Sequence, residues 1–364
     1  MPETKIVFIG EAFGSEEAKY EIPFVGAAGQ ELCRMLAQAG FAIEPPPYKY
    51  CSAMSMITRW STFPHPLLNV FNARPGKESN NIELFYARPR DNIEVDRSYG
   101  GRRFGTSTYY LRADNAHHVS RLHDTLQKLQ PNLIVALGAT ACWSLGLGAG
   151  IGKLRGFVHE TKWGKVLPIY HPSAVIRNWS LRAITLMDLA KARREMEFPG
   201  FRLLDREIWT EPTIPDLWQW WDQHGKHSKL LAVDIETLKR QQISEVGFAS
   251  DPTHALHIPF CWKDGRTFKQ WWPDSETELE AWKFVRHVCD SSIPKVFQNG
   301  SFDSYWLAHS MSIPVRNWTQ DTMQACHAWQ PEMGKSLYDL GALFLNEKDW
   351  KSIRKESNKD KDND

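Results

Sequence analysis

The stretch IVFIGEAFGSEEAKYEIPFVGAAGQEL, residues 6–32, decides how the first half of the chain is read. Four apolar residues, Ile6 to Ile9, form a buried-strand signal, and Gly10 ends it in a turn that carries Glu11. A second glycine-bounded turn displays Pro23 and Phe24 just before residues 29–39, where Leu32, Met35, Leu36 and Ala39 recur near helical spacing. Strand, turn and helix make the first unit of an alternating α/β fold. A carboxylate and an aromatic ring on two turns at strand ends suit a base-binding pocket at the C-terminal edge of a parallel sheet.

The alternation continues outward. ADNAHHVSRLHDTLQKLQPN (113–132) is a helix stopped by Pro131, LIVALG (133–138) a buried strand and ATACWSLGL (139–147) a helix start. KVLPIYHPS (165–173) is an apolar run ending in a turn, and WSLRAITLMDLAKARREM (179–196) a long amphipathic helix. Residues 42–116 read as irregular, rich in Pro, Asn and Arg; within them the arginines and tyrosines of 74–116 suit a clamp on DNA or on an adjacent domain, or a solvated loop. The pattern predicts a parallel sheet with helices on both faces, a three-layer α/β/α domain over 1–197.

A Pro-containing connection, 198–209, precedes a second unit over 210–346. There LLAVDIET (230–237), ISEVGFAS (243–250) and THALHIPF (253–260) read as three successive strands. A helix (276–290), the short strand PKVFQNG (294–300) and further helices follow, which predicts a mixed α/β sheet. The tail 347–364 is charge-rich and expected to stay unpacked.

Composition sets the outer limits. With 364 residues the chain can bury two cores, and 42% hydrophobic against 24% charged residues, at net charge +1, fits a soluble globular protein. No apolar stretch approaches the ~20 residues that span a bilayer. The six cysteines (33, 51, 142, 261, 289, 326) form no CxxC pair, which argues against a zinc ribbon or disulfide scaffold. Absence of a signal-peptide pattern and this cysteine usage point to a cytoplasmic setting, bacterial or in a phage-infected host. The 16 tryptophans are read as mostly core packing.

VDIET places Asp234 and Glu236 two apart on a strand, so both side chains leave one face. Two adjacent carboxylates repel unless a cation, usually a divalent metal, sits between them. Then FQNGSFDSYWL (297–307) sets Asn299 and Asp303 one helical turn apart, and QDTMQACHAWQPEMGKSLYDLGALFL (320–345) follows. This ordered set resembles the proofreading 3′–5′ exonuclease domain of family A DNA polymerases. The resemblance implies an RNase H-like fold and two Mg²⁺ or Mn²⁺ ions held by Asp234, Glu236 and Asp303. It further implies that Asn299 and Phe302 hold the 3′-terminal nucleotide; Asp321 is expected to be structural. The family's third motif, Tyr or His followed four residues later by Asp, is not met: Tyr338 is followed by Ala342. We therefore expect a chain ending short of that motif, with a polymerase domain beyond it.

The first half carries GEAFG (10–14), PFVGAAGQEL (23–32), LLNVFNARP (67–75) and YHPSAVIRN (170–178), in that order. These resemble the uracil-DNA glycosylase superfamily, in its family 4-like branch. Such enzymes extrude a nucleotide, because the glycosidic bond is inaccessible inside a duplex. The resemblance implies that Phe24 stacks on the flipped uracil, Asn69 reads its Watson–Crick edge, Glu11 orients the attacking water and His171 donates to uracil O2. The loop from Ser173 to Arg177 would wedge into the minor groove and grip phosphates. Phe13 stands where the family has proline, and Ala73 near its basic residue and cysteine. Only Cys33, Cys51 and Cys142 fall in this half, so no iron–sulfur cluster is expected. Together the halves suggest the N-terminal part of a phage-type DNA polymerase acting on single-stranded 3′ ends and uracil-containing DNA. Two alternatives stay open for the first half: a silent DNA-binding or uracil-sensing module, and a replisome-docking scaffold.

Overall fold

The computed structural model describes residues 4–49, 51–238, 242–264 and 267–345; the charged tail 347–364 lies outside the described residues. The chain forms two compact units, Met1–Arg202 with Tyr338–Asp364, and Leu203–Leu337. The helix Leu337–Phe344, which the sequence reading assigns to the second domain, packs from Tyr338 onward with the first. Lys191 holds it there: its ammonium donates to the carbonyls of Gly156 (2.8 Å), Ala342 (2.9 Å) and Leu345 (2.6 Å). A cation at the carbonyl end of a helix satisfies groups the helix itself leaves unpaired.

The first unit is built on a five-stranded sheet in the order Leu67–Phe71, Ile6–Ala12, Leu133–Leu137, Gly164–Ile169, His159–Thr161. The first four pair in parallel, and the last returns antiparallel. Central parallel strands are covered on both faces, which is why Ile6–Ile9 and Leu133–Leu137 are unbroken apolar runs. Alternation divides each run: Ile6 and Phe8 face a core with the helices Ala27–Gln38 and Leu181–Glu195. Val7 and Ile9 face a second core with Ala116–Leu129 and Ala139–Ser144.

Residues 42–116 are more ordered than their composition suggests. They contain the helix Ala53–Thr62, the edge strand Leu67–Phe71 and a small antiparallel sheet. In that sheet Tyr86–Ala87, Val95–Asp96 and Arg102–Phe104 all pair with Ser107–Arg112. Strands this short carry no readable periodicity. They are fixed by tertiary contact, since Phe85, Tyr86 and Leu111 are buried in the second core of the unit.

The second unit has a six-stranded mixed sheet in the order Glu207–Trp209, His254–Pro259, Gln242–Ala249, Leu231–Leu238, Lys295–Phe297, Trp318–Asp321. The three long strands form an antiparallel meander, and the last two join in parallel. Its core is aromatic: Trp220, Phe248 and Phe284 are fully enclosed, and Phe260 stacks on Trp282 at 3.7 Å.

Candidate active sites

In the first unit the C-terminal ends of the parallel strands surround a cavity of about 460 Å³. Glu11, Phe24, Asn69, His171, Ser173 and Arg177, drawn from four separate stretches of sequence, all line it. Pairing explains part of this convergence: Gly10 lies in register with Asn69 on the neighbouring strand. A Cβ on Gly10 would sit 2.4 Å from both Asn69 Oδ1 and Phe24 Cζ, so only glycine lets the amide and the ring meet there.

Phe24 is held in a strained backbone conformation with φ of 61°. Its carbonyl accepts from Trp60 Nε1 at 2.7 Å and presses against Gly29, where a Cβ would approach to 1.7 Å. The ring is buried, 6.2 Å from the His171 ring and inclined to it by 28°. The turn itself is tied by Glu17, which accepts from the Gly26 N–H at 2.8 Å.

His171 caps the helix Pro172–Arg177, so the stretch read from sequence as a wedge loop is helical. Its Nδ1 accepts from the Ser173 N–H at 3.2 Å and lies 2.7 Å from Ser173 Oγ. An acceptor at Nδ1 fixes the neutral tautomer with its proton on Nε2. Burial lowers the affinity of this ring for a second proton; the Glu11 charge opposes that and Arg177 reinforces it. His171 is thus a neutral donor at physiological pH. Arg177 is exposed at the cavity.

Glu11 is anchored from behind. Its Oε2 accepts from the Thr140 hydroxyl, which in turn accepts from Arg102 Nη1 at 2.6 Å. Neither residue was singled out by the sequence; Thr140 follows the strand Leu133–Leu137 by one glycine and one alanine and lies buried behind Glu11. Phe13, in place of a rigidifying proline, is buried, and its N–H donates to Ala73 at 3.2 Å, a bond that proline cannot make. Of the unit's cysteines, Cys33 and Cys51 sit in one apolar cluster and Cys142 in another. They offer no four-thiolate set for an iron–sulfur cluster.

In the second unit Asp234 and Glu236 project from the same face of Leu231–Leu238. The helix Gly300–Met311 brings Asp303 to this strand, where Oδ1 accepts from the Ile235 N–H at 2.9 Å. Burial raises the Asp303 carboxyl to about 7 against that hydrogen bond, and Asp234 adds to the rise. Partial burial, then the Glu236 charge, pushes Asp234 up. Asp234 is thus repelled by Glu236 and itself repels Asp303, the electrostatics that a cation relieves. The three carboxyls do not contract into one group with all oxygens within 4.8 Å.

That separation is met among the described residues by Glu207, His224 and His254 instead. There the two imidazoles stack at 4.3 Å with planes 19° apart, so a single ion cannot lie in both ring planes. We read them as a stacked pair. Asp321 accepts from the N–H groups of Asn299 (3.3 Å), Gly300 (2.8 Å), Met323 (2.9 Å) and Gln324 (3.1 Å), a structural role. Asn299 caps the Asp303 helix at φ of 62°, and Phe302 is 37% exposed on its first turn. A mainly apolar cavity of about 370 Å³ includes Asp234, Gln298 and Thr322 but neither Asn299 nor Phe302. Tyr338 serves the first unit, donating to the Lys153 carbonyl and packing on Phe157 at 4.6 Å.

Comparison with known proteins gives two family matches. The uracil DNA glycosylase superfamily matches residues 1–196, and a 3′–5′ exonuclease family matches residues 260–363. The second range includes Asn299, Phe302 and Asp303 but begins after Asp234 and Glu236. The type-4 uracil-DNA glycosylase of Thermotoga maritima is 32% identical over 203 residues, 54% of this chain and 81% of that protein. Its namesake from Archaeoglobus fulgidus is 30% identical over 190 residues, 50% of this chain and 71% of that protein. Among solved structures, Brucella melitensis NrnC is 18% identical with a TM-score of 0.27, covering 40% of this chain and 63% of its own. The chain belongs to the uracil DNA glycosylase superfamily, and carries a 3′–5′ exonuclease domain after it.

Proposed function

We propose that the first unit excises uracil from DNA and that the second trims 3′ ends. The observation that carries the first part is the single cavity lined by Glu11, Phe24, Asn69 and His171. A flipped uracil would lie on Phe24, with the Asn69 amide on its Watson–Crick edge. As the C1′–N1 bond breaks, negative charge develops on uracil O2, and the Nε2 proton of neutral His171 is placed to donate to it. Glu11 orients the water whose oxygen bonds to C1′, leaving free uracil and an abasic sugar. Ser173 fixes the His171 tautomer, and Arg177 meets a phosphate. Against the alternative, a silent DNA-binding or replisome-docking module, stands the Phe13 N–H bond to the Ala73 carbonyl, which restrains the Glu11 loop where the family has proline.

In the second unit Asp234, Glu236 and Asp303 would hold divalent cations, Mg²⁺ or Mn²⁺. When bound, these supply charge neutralisation and water activation at a phosphodiester. Asn299 and Phe302 would hold the terminal nucleotide. The partner is DNA, and a neighbouring DNA polymerase in replication or repair is part of this proposal.

Two assays test it. Wild-type protein should release uracil from a labelled oligonucleotide, and His171→Phe should slow release about 10²- to 10³-fold, the range for losing one preorganised donor. Digestion of labelled single-stranded DNA should require Mg²⁺ and disappear in Asp234→Ala. Digestion that survives Asp234→Ala would remove the nuclease assignment.

A further inference from the structure

Arg102 is 6% exposed, in the short strand Arg102–Phe104 of the small antiparallel sheet. Its guanidinium lies 4.7 Å from the Phe104 ring and 5.4 Å from the Tyr86 ring. Among the described residues it makes no ion pair with a carboxylate, and its buried Nε has no hydrogen-bond partner. Enclosing a permanent cation this way is costly unless its charge is answered nearby. The two acceptors it has are Tyr86 Oη at 3.2 Å and Thr140 Oγ1 at 2.6 Å.

The chemistry of these groups fixes the direction of the chain. A guanidinium only donates, so Thr140 must accept from it. The single hydroxyl proton of Thr140, itself fully buried, is then free for one acceptor, and that acceptor is Glu11 Oε2. A donor polarised by a buried cation makes a stronger bond in turn. Held through Oε2, the carboxylate has Oε1 left to face the cavity that Glu11 lines.

We propose that Arg102 and Thr140 are positioning residues for Glu11: the small sheet supplies a buried cation that fixes the Thr140 proton on Oε2 and leaves Oε1 for the attacking water. This rests on the glycosylase reading of Glu11. It gives the otherwise unassigned segment 82–112 a part in the reaction.

The test uses the full chain in single-turnover uracil release, with binding to uracil-containing DNA measured in parallel. Thr140→Val and Arg102→Met should each lower the rate constant about 10- to 100-fold, the cost of a misplaced catalytic group. Binding should stay within about threefold. Thr140→Ser, which restores the hydroxyl alone, should recover most of the rate. A Thr140→Val protein that reacts at the wild-type rate would overturn the proposal, as would a loss that Thr140→Ser shares. A wild type that releases no uracil would fail the glycosylase reading separately. A crystal structure of Thr140→Val then still decides the positioning: the Glu11 carboxylate should turn from its place, and one left unmoved contradicts us.

Discussion

Gly10 shows how little room the glycosylase site leaves at single positions. Gly10→Ala would drive a methyl group against Asn69 Oδ1 and Phe24 Cζ, both 2.4 Å away. Phe24 cannot retreat, because its carbonyl is pinned by Trp60 and Gly29. We expect a stability loss of about 1–3 kcal/mol by urea titration, typical of overpacking, together with loss of uracil release. Asp303 gives a pH prediction. Its folded value of about 7 lies above the ordinary 3.8, so the folded unit binds this proton more tightly than the unfolded chain. Stability then falls as pH rises between about 4 and 7, and stays lower above. In EDTA, the urea midpoint of the wild type should drop from pH 5 to pH 8 more than that of Asp303→Asn. Equal drops in the two proteins would contradict the assignment. That Glu11, Phe24, Asn69 and His171 meet at one cavity could be expected from sequence, because each sits in a motif of fixed order. Thr140 and Arg102 were not: a buried threonine and one arginine among many carry no signal until the fold sets them behind Glu11.

At the level of elements, strands and helices with long apolar patterns were readable, and short ones were not. Leu133–Leu137 and the meander of the second sheet follow directly from their runs. The small sheet of residues 86–112 has strands of two to six residues, and its order comes from the core beneath it. The helix Leu337–Phe344 has the apolar face of any amphipathic helix; where it packs is set by Lys191 on the carbonyls of Ala342 and Leu345 and by Tyr338 against Lys153 and Phe157. Asp321 links elements in the second unit, joining the start of the helix Gly300–Met311 to that of Thr322–Trp329. Asp321→Ala strands four N–H groups, and should cost roughly 2 kcal/mol or more by chemical denaturation. A cost near zero would mean water replaces the carboxylate without penalty.

For the molecule as a whole, the chain's length allowed two cores, and the chain forms two compact units, each with its own candidate site residues. No helix among the described residues is long and apolar enough to cross a membrane. In hydrogen exchange, Mg²⁺ should protect residues 231–236 and 300–303, and uracil-containing DNA should protect 10–13 and 171–177. The measurement that bears most directly on the account is uracil release by the purified full chain beside Glu11→Gln and His171→Phe. We predict free uracil from the wild type and at least a hundredfold slower release from both variants. A wild type that leaves uracil in place, or variants that cut as fast as it does, would contradict the reading of this cavity as a catalytic site.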